Sequence, residues 1–319
     1  MPESLTLEPN TAVIITAKDA EAFCAKAVAS ALAQRLAREV IFVDDGSSDA
    51  TLATALSADD GTGRLRTIRF EQNRGPAAGR NAAIDVAASP YICILDADDF
   101  LSDGRLERMF ERGGEGWDLL ADDLTFASGP HESLAFETML PEGAPLPWDL
   151  SLTDFALGNL PLKGRYRREM GFLKPVIRRA FVVEHGIRYD ERLRLGEDLL
   201  YYAACLVEGA VFRVIEACGY HAIQHPNSLS AQHRTRDIAL LHTALGEFET
   251  RHRAEGRDVG QLPAYTAAVR RNLALRTALD AKREGGWRGF IGSLRQDPDN
   301  AGFVFGKLVM DKLFAPVGR

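Results

Sequence analysis

The stretch Ile92-Cys93-Ile94-Leu95-Asp96-Ala97-Asp98-Asp99-Phe100 decides how this chain is read. Four apolar residues have the length of a buried strand, and three carboxylates follow where that strand must surface. Carboxylates this close repel one another. A hard divalent cation such as Mg²⁺ or Mn²⁺ relieves that repulsion, and such ions commonly also hold a substrate's phosphates. The same residues read equally as a solvated acidic turn ahead of a helix capped near Ser102-Asp103. What lies upstream separates the two readings.

Working outward, short apolar runs alternate with helix-like stretches. Strands are expected over 11–16, 39–44, 65–70 and 91–96, and helices near 20–35, 49–57 and 76–88, the pattern of a parallel α/β sheet covered on both faces. Right-handed crossovers then line the strand C-termini along one edge, where open sheets bind ligands. Polar residues gather at each of those ends. They are Thr16-Ala17-Lys18-Asp19, then Asp44-Asp45-Gly46-Ser47-Ser48-Asp49, then Asn73-Arg74-Gly75, then the Asp96 cluster. Together these loops suit a nucleotide diphosphate. Asp44 and Asp45 offer acceptors to a base N–H or to ribose hydroxyls, Gly46 permits a tight turn, and Asp49 caps the next helix. Arg74 and Arg80 either face phosphates or pair with nearby acids. Pro76 suits the first position of a helix.

Composition sets the outer limits. A chain of 319 residues fills one large α/β domain with an appendage, or two domains. A net charge of −7 leaves no domain-wide basic surplus for neutralising a nucleic acid. Cys24, Cys93, Cys205 and Cys218 are widely spaced in mostly apolar surroundings, so buried, reduced thiols are expected rather than a zinc or redox pair. No basic-then-apolar leader and no membrane-spanning apolar run is visible, and a cytoplasmic protein is expected.

At this point the motifs carry a resemblance. Val13-Ile14-Ile15-Thr16-Ala17, Val43 through Asp49, Asn73-Arg74-Gly75 with Gly79-Arg80-Asn81, and Leu95 through Asp99 resemble the nucleotide-sugar-binding half of family 2 glycosyltransferases. Lys174-Pro175-Val176-Ile177-Arg178-Arg179, Gly186 through Asp190, and Leu195 through Tyr201 follow the order of that family's acceptor half. Gly219-Tyr220-His221 through Ser230 resembles its closing segment. The match spans about residues 10 to 232. Trp117 through Asp123, taken with Glu197-Asp198, is most similar to bacterial exopolysaccharide glucosyltransferases of the succinoglycan type.

The resemblance implies a GT-A fold over 1–232, with a nucleotide-sugar-binding half over 10–100 and an acceptor half over 101–232, followed by a helical region over 233–319. It implies a UDP-sugar donor, with glucose the expected sugar, Mn²⁺ or Mg²⁺, and transfer with inversion. Asp96, Ala97 and Asp98 stand at the family's DxD motif. Asp98 would hold the metal most directly and Asp96 would face the ribose or a metal-bound water. Thr16, Lys18 and Asp45 would surround the uridine, although Lys18 stands where an aromatic or small residue is common. Asp198 would be the base that deprotonates the acceptor hydroxyl, with Glu197 orienting the acceptor; an ordinary helix start reads the same way. His225 is the metal or diphosphate candidate of the closing loop, where Ile223 replaces an arginine frequent in relatives.

Residues 127–170 read as irregular. They suit either an acceptor-side insertion, with Trp148 and Tyr166 receiving a saccharide or lipid diphosphate, or a packed connector. Beyond 232 the pattern is helical. The tail Phe303 through Phe314 alternates apolar and basic positions, suiting a membrane surface or docking onto the catalytic domain. The expected function is transfer of a sugar onto a bacterial exopolysaccharide or other surface glycan, with a saccharide or lipid-linked oligosaccharide acceptor. Two rivals are a sugar-phosphate nucleotidyltransferase, which would need a glycine-rich basic loop in place of Thr16 through Glu21, and a non-catalytic sugar-nucleotide or glycan-binding module.

Overall fold

A computed structural model of the chain describes residues 9–128, 135–140, 142–160, 170–223 and 234–313. It divides into two compact units, Met1–Ser228 and Leu229–Arg319.

The first unit opens as the hydrophobic pattern demands. Strands β1 (Thr11–Ala17), β2 (Ala37–Asp44), β3 (Leu65–Arg69) and β4 (Tyr91–Asp96) alternate with helices α1 (Cys24–Leu32), α2 (Thr51–Ser57) and α3 (Pro76–Val86). All four strands are parallel, in the order β3-β2-β1-β4. Ile14, Ile15, Ile41, Phe42, Ile92 and Ile94 are essentially fully buried. Each such side chain contributes on the order of 1.5–3 kcal/mol of burial. Register then sets the edge: Thr16 lies beside Val43 on one side and Asp96 on the other.

The remaining elements extend this sheet and add another. In chain order they are β5 (Phe100–Leu101), α4 (Arg105–Gly113), β6 (Leu119–Asp122), β7 (Thr125–Ser128), β8 (Ala135–Thr138), β9 (Trp148–Leu150) and α5 (Leu152–Gly158). There follow β10 (Val176–Arg178), α6 (Arg179–Glu184), α7 (Glu197–Val207), β11 (Phe212–Ile215) and β12 (Tyr220–Ile223). The large sheet continues β4-β10-β6-β11-β9, and β5-β12-β7-β8 form a smaller one. Strand β10 is antiparallel to both β4 and β6. Its start therefore lies at the edge where β4 ends, which brings the preceding Lys174 beside Asp96.

The stretch expected to be irregular is partly ordered. Three short strands and α5 occupy its described residues, and Ser151 and Asp154 close a capping box at the start of α5. Segments of three or four residues are too short to display a period in sequence. Trp148 is half-buried and paired with Val214 in the sheet, which fits the packed-connector reading; Tyr166 lies outside the described residues. The four cysteines are free and buried.

The second unit is helical: α8 (Thr235–Ala254), α9 (Leu262–Gln296) and α10 (Pro298–Leu313). Leu241, Leu245, Phe248 and Leu262 are buried along α8 and the start of α9, and Ala278, Phe290 and Val304 form a separate small cluster with Leu275, Leu294 and Leu308 packed around them. No helix among the described residues is long and apolar enough to cross a membrane.

Candidate active site

The strand edge is assembled by two close approaches. Gly75 begins α3 with φ +97°, and its N–H donates to Asp45. A side chain there would be strained and would meet the Arg194 guanidinium. One turn later Gly79 lets α3 press onto β1, because a Cβ would stand 2.8 Å from Thr16 Cγ2. Arg80, the next residue, is thereby driven into the edge and is only 4% exposed.

Arg80 meets three carboxylates. It donates to Asp198 Oδ1 at 2.8 Å and Glu197 Oε1 at 3.0 Å from one nitrogen, and to Asp96 Oδ1 at 3.0 Å from another. Lys174 closes the ring, with Nζ 2.8 Å from Asp198 Oδ2 and 3.0 Å from Asp96 Oδ2. Two cations thus bridge the first aspartate of the DxD-like turn to the acidic pair that opens α7. Gly196, at φ +73°, turns the chain into that pair.

Burial works against charge throughout the ring, and pairing opposes it. Lys174 and Arg80 overcome burial to hold the Asp96 carboxyl below its usual range. At Glu197 burial prevails over Arg80, and the carboxyl is held above its usual range. Burial also disfavours charge on Lys174 and Arg80, but their acidic neighbours raise both above their ordinary values. Arg80 Nε and the hydroxyls of Tyr189, Tyr201 and Tyr202 are buried and unpartnered among the described residues. Tyr189 and Tyr201 stack face to face at 4.0 Å, with the Arg80 guanidinium 5.3 Å over the Tyr189 ring.

The rest of the DxD-like turn is packed to different degrees. Asp99 accepts from the Tyr220 hydroxyl at 2.7 Å and from Ile223 N–H at 2.9 Å, while the Asp96 N–H donates to the same hydroxyl. Burial and the charges of Asp96 and Asp98 push the Asp99 carboxyl well above its usual range. Ala97 is buried in the turn, and Asp98 is half-buried. Beneath lies an ion pair of which both partners are buried: Arg105 donates to Asp122 at 2.5 Å and also to the Lys174 carbonyl. The other Asp122 oxygen accepts from Cys218 N–H.

The other residues expected around a nucleotide lie at the same edge, mostly engaged with their own loops. Asp45 is buried and accepts from Arg74 N–H at 2.6 Å and Gly75 N–H at 2.8 Å. Asp44 is fully buried; Oδ1 accepts from Ser47 N–H, and Arg69 stands 3.3 Å from Oδ2 without the alignment of a hydrogen bond. A bound nucleotide would have to share these oxygens. Lys18 pairs with Asp19, and Asp19 accepts from Ser48, which ties the first loop to the second. Arg74 pairs with Glu191 at 3.1 Å on the surface, the acid-pairing alternative of the two expected for it. His225 lies outside the described residues. His221 is held by the hydroxyls of Ser102 and Thr125 and stacked on Phe100, so it packs the small sheet.

Lys174, Arg105, Asp122 and Tyr220 were not singled out from sequence as parts of the edge. A signal was available for two of them. Lys174 is a lone cation inside Phe172-Leu173-Lys174-Pro175-Val176-Ile177, and Arg105 shares the apolar face of α4 with Leu106 and Met109. A cation on a buried face requires a buried acid.

Comparison with known proteins agrees with this architecture. Residues 12–138 match the model of glycosyl transferase family 2. The chain is 42% identical to succinoglycan biosynthesis protein ExoU of Rhizobium meliloti, over 96% of this chain and 89% of that protein. It is 33% identical to succinoglycan biosynthesis protein ExoO of the same organism, over 80% of this chain and 72% of that one. A crystal structure of S. aureus TarS 1–349 in complex with UDP-GlcNAc superposes with a TM-score of 0.57 at 19% identity, covering 90% of this chain and 92% of that one. The fold is GT-A, as the sequence motifs imply.

Proposed function

From the premise that this chain belongs to glycosyltransferase family 2 and is an enzyme of that family, we propose that it transfers a hexose with inversion from a UDP-sugar to a growing exopolysaccharide. The observation that carries the reading is the ring of Arg80, Asp96, Lys174, Glu197 and Asp198, which couples a DxD-like turn to an acidic pair across a shared edge. Likeness to ExoU and ExoO, both succinoglycan biosynthesis proteins, supports a bacterial polysaccharide as acceptor, and glucose is the sugar that the sequence resemblance implies. The UDP-GlcNAc complex of TarS supports a uridine diphosphate donor.

No group of three or more His, Cys, Asp or Glu side chains among the described residues is placed to hold a metal ion, so Mg²⁺ or Mn²⁺ would have few protein ligands here. Asp98 stands at the position that matches the family's DxD motif, and on that ground we assign it as the residue that would hold the ion, together with donor phosphates and water. When bound, such an ion would supply positive charge to the diphosphate. Thr16, Lys18, Asp44 and Asp45 form the nucleoside side, with Arg74 at its rim. His225 is retained as a diphosphate candidate.

In the transfer, the acceptor oxygen bonds to the anomeric carbon as the bond to the diphosphate oxygen breaks, and the hydroxyl proton passes to a carboxylate. We assign that carboxylate to Asp198, whose orientation Arg80 and Lys174 fix from two sides, with Glu197 orienting the acceptor. A second reading exchanges the pair. Glu197 has one oxygen on Arg80, and burial raises its carboxyl above the usual range. Separate Asp198→Asn and Glu197→Gln variants decide between them. The expected result is a loss of transfer of about 10²- to 10⁴-fold in Asp198→Asn with donor binding kept. Undiminished transfer there with collapse in Glu197→Gln exchanges the roles, and undiminished transfer in both overturns the site. An α-configured product from an α-linked donor would refute inversion.

A further inference from the structure

The second unit differs in charge from the first. Residues 229–319 hold 15 Lys and Arg against 10 Asp and Glu, a net +5, whereas the whole chain is −7 and residues 1–228 are therefore −12. The surplus concentrates on α9, which has seven cations and two acids. Gly286, at φ +59°, breaks α9 immediately before Trp287, so residues 287–296 form a separate helical arm. That arm is anchored from within its own unit: Phe290 is buried, and Leu294 packs against the same small cluster.

Beside that buried stripe the arm is open, with the Trp287 ring edge-on to Phe290 at 5.5 Å. Trp287 is 61% exposed and Ile291 is 48% exposed, four residues apart and so on one face. Arg288 and Arg295, seven apart, flank that face and are exposed, as is Arg283 ahead of the break. Lys282 stands 4.3 Å over the Trp287 ring. An amphipathic indole beside an aliphatic anchor and a fringe of cations is the chemistry that seats a helix at the headgroup level of an anionic bilayer.

We propose that the Trp287–Ile291 face of α9, with Arg283, Arg288 and Arg295 around it, docks onto an anionic phospholipid surface. The occupant is specified by charge. A face fringed by cations complements anionic headgroups, while a second copy meeting it through the same face would bring like charge against like. The surface lies wholly in the second unit and is independent of the assignment of donor and base.

The test uses the full chain with vesicles of phosphatidylcholine and phosphatidylglycerol, about two to one, against phosphatidylcholine alone. Binding is expected only to the anionic vesicles, weakening with salt. Trp287 emission should shift to the blue and be quenched by brominated lipid; Trp117 is buried and Trp148 half-buried, so the exposed indole dominates that signal. Each of Arg283→Gln, Arg288→Gln and Arg295→Gln should weaken partitioning about fivefold. Trp287→Ala should abolish the quenching while the circular dichroism spectrum is kept. Any of three results would overturn the proposal: no partitioning to anionic vesicles, partitioning with Trp287 emission unchanged, or a concentration-dependent blue shift without lipid, which would identify a second copy as the occupant.

Discussion

The strand edge of the first unit and the α9–α10 helices of the second are built by opposite rules. At the edge, Arg80 reaches Asp96 sixteen residues away and Asp198 across 118, and every charge in the ring is turned inward onto another. In the helices, contacts join consecutive elements; Arg288 and Arg295 are exposed, and Arg283 is exposed while standing 3.6 Å from Asp280. The contrast separates chemistry from docking. Inward pairing fixes side chains relative to a reacting centre at the cost of desolvating them. Outward display leaves them to meet a partner that is itself charged.

Substitutions that remove one member of a pair should break the contrast most visibly. The largest effect is expected at Arg105→Met, which strands Asp122 in the core of the first unit. Denaturant unfolding should register a loss of about 3–5 kcal/mol. Lys174→Met comes next. Asp198 and Asp96 lose a shared partner, but the Asp96 side chain is 34% exposed and can recruit water, so about 3 kcal/mol is expected, together with a loss of turnover. Stability unchanged in both variants would mean that the inward pairing contributes nothing.

Asp123 sharpens the comparison through pH. It is buried beside Asp122 and Leu140, and burial raises its carboxyl from 3.8 to about 6. Since the folded value exceeds the unfolded one, its contribution is fully present below about 4 and is lost as pH rises through about 6. Unfolding midpoints measured across that window should fall with rising pH, and Asp123→Asn should flatten the trend. The smallest effect belongs to the outward face: Trp287→Ala should alter stability by no more than about 0.5 kcal/mol and leave transfer to a water-soluble acceptor unchanged.

The parallel core was legible because its strands are long enough to carry a period and its loops polar enough to mark one edge. The predicted strands at 65–70 and 91–96 agree with β3 and β4 to within a residue. The acidic pair was legible as a helix start, and α7 does begin at Glu197. Elements such as β8, β9 and β10 escape such reading, since three or four residues define neither face nor partner. The ring itself could not be seen from local sequence. Lys174 joins it only because β10 runs antiparallel between β4 and β6, a fact of topology rather than of spacing.

The most direct test of the account is calorimetric titration of the full chain with UDP-glucose, UDP-galactose, UDP-N-acetylglucosamine and GDP-mannose, with and without Mn²⁺, in the native protein and in Asp98→Ala. The account predicts that one UDP-sugar binds in a metal-dependent way and that Asp98→Ala removes the metal dependence while the protein remains folded. Folded native protein that binds none of the four donors, or that binds one equally well with Asp98 replaced, would contradict it.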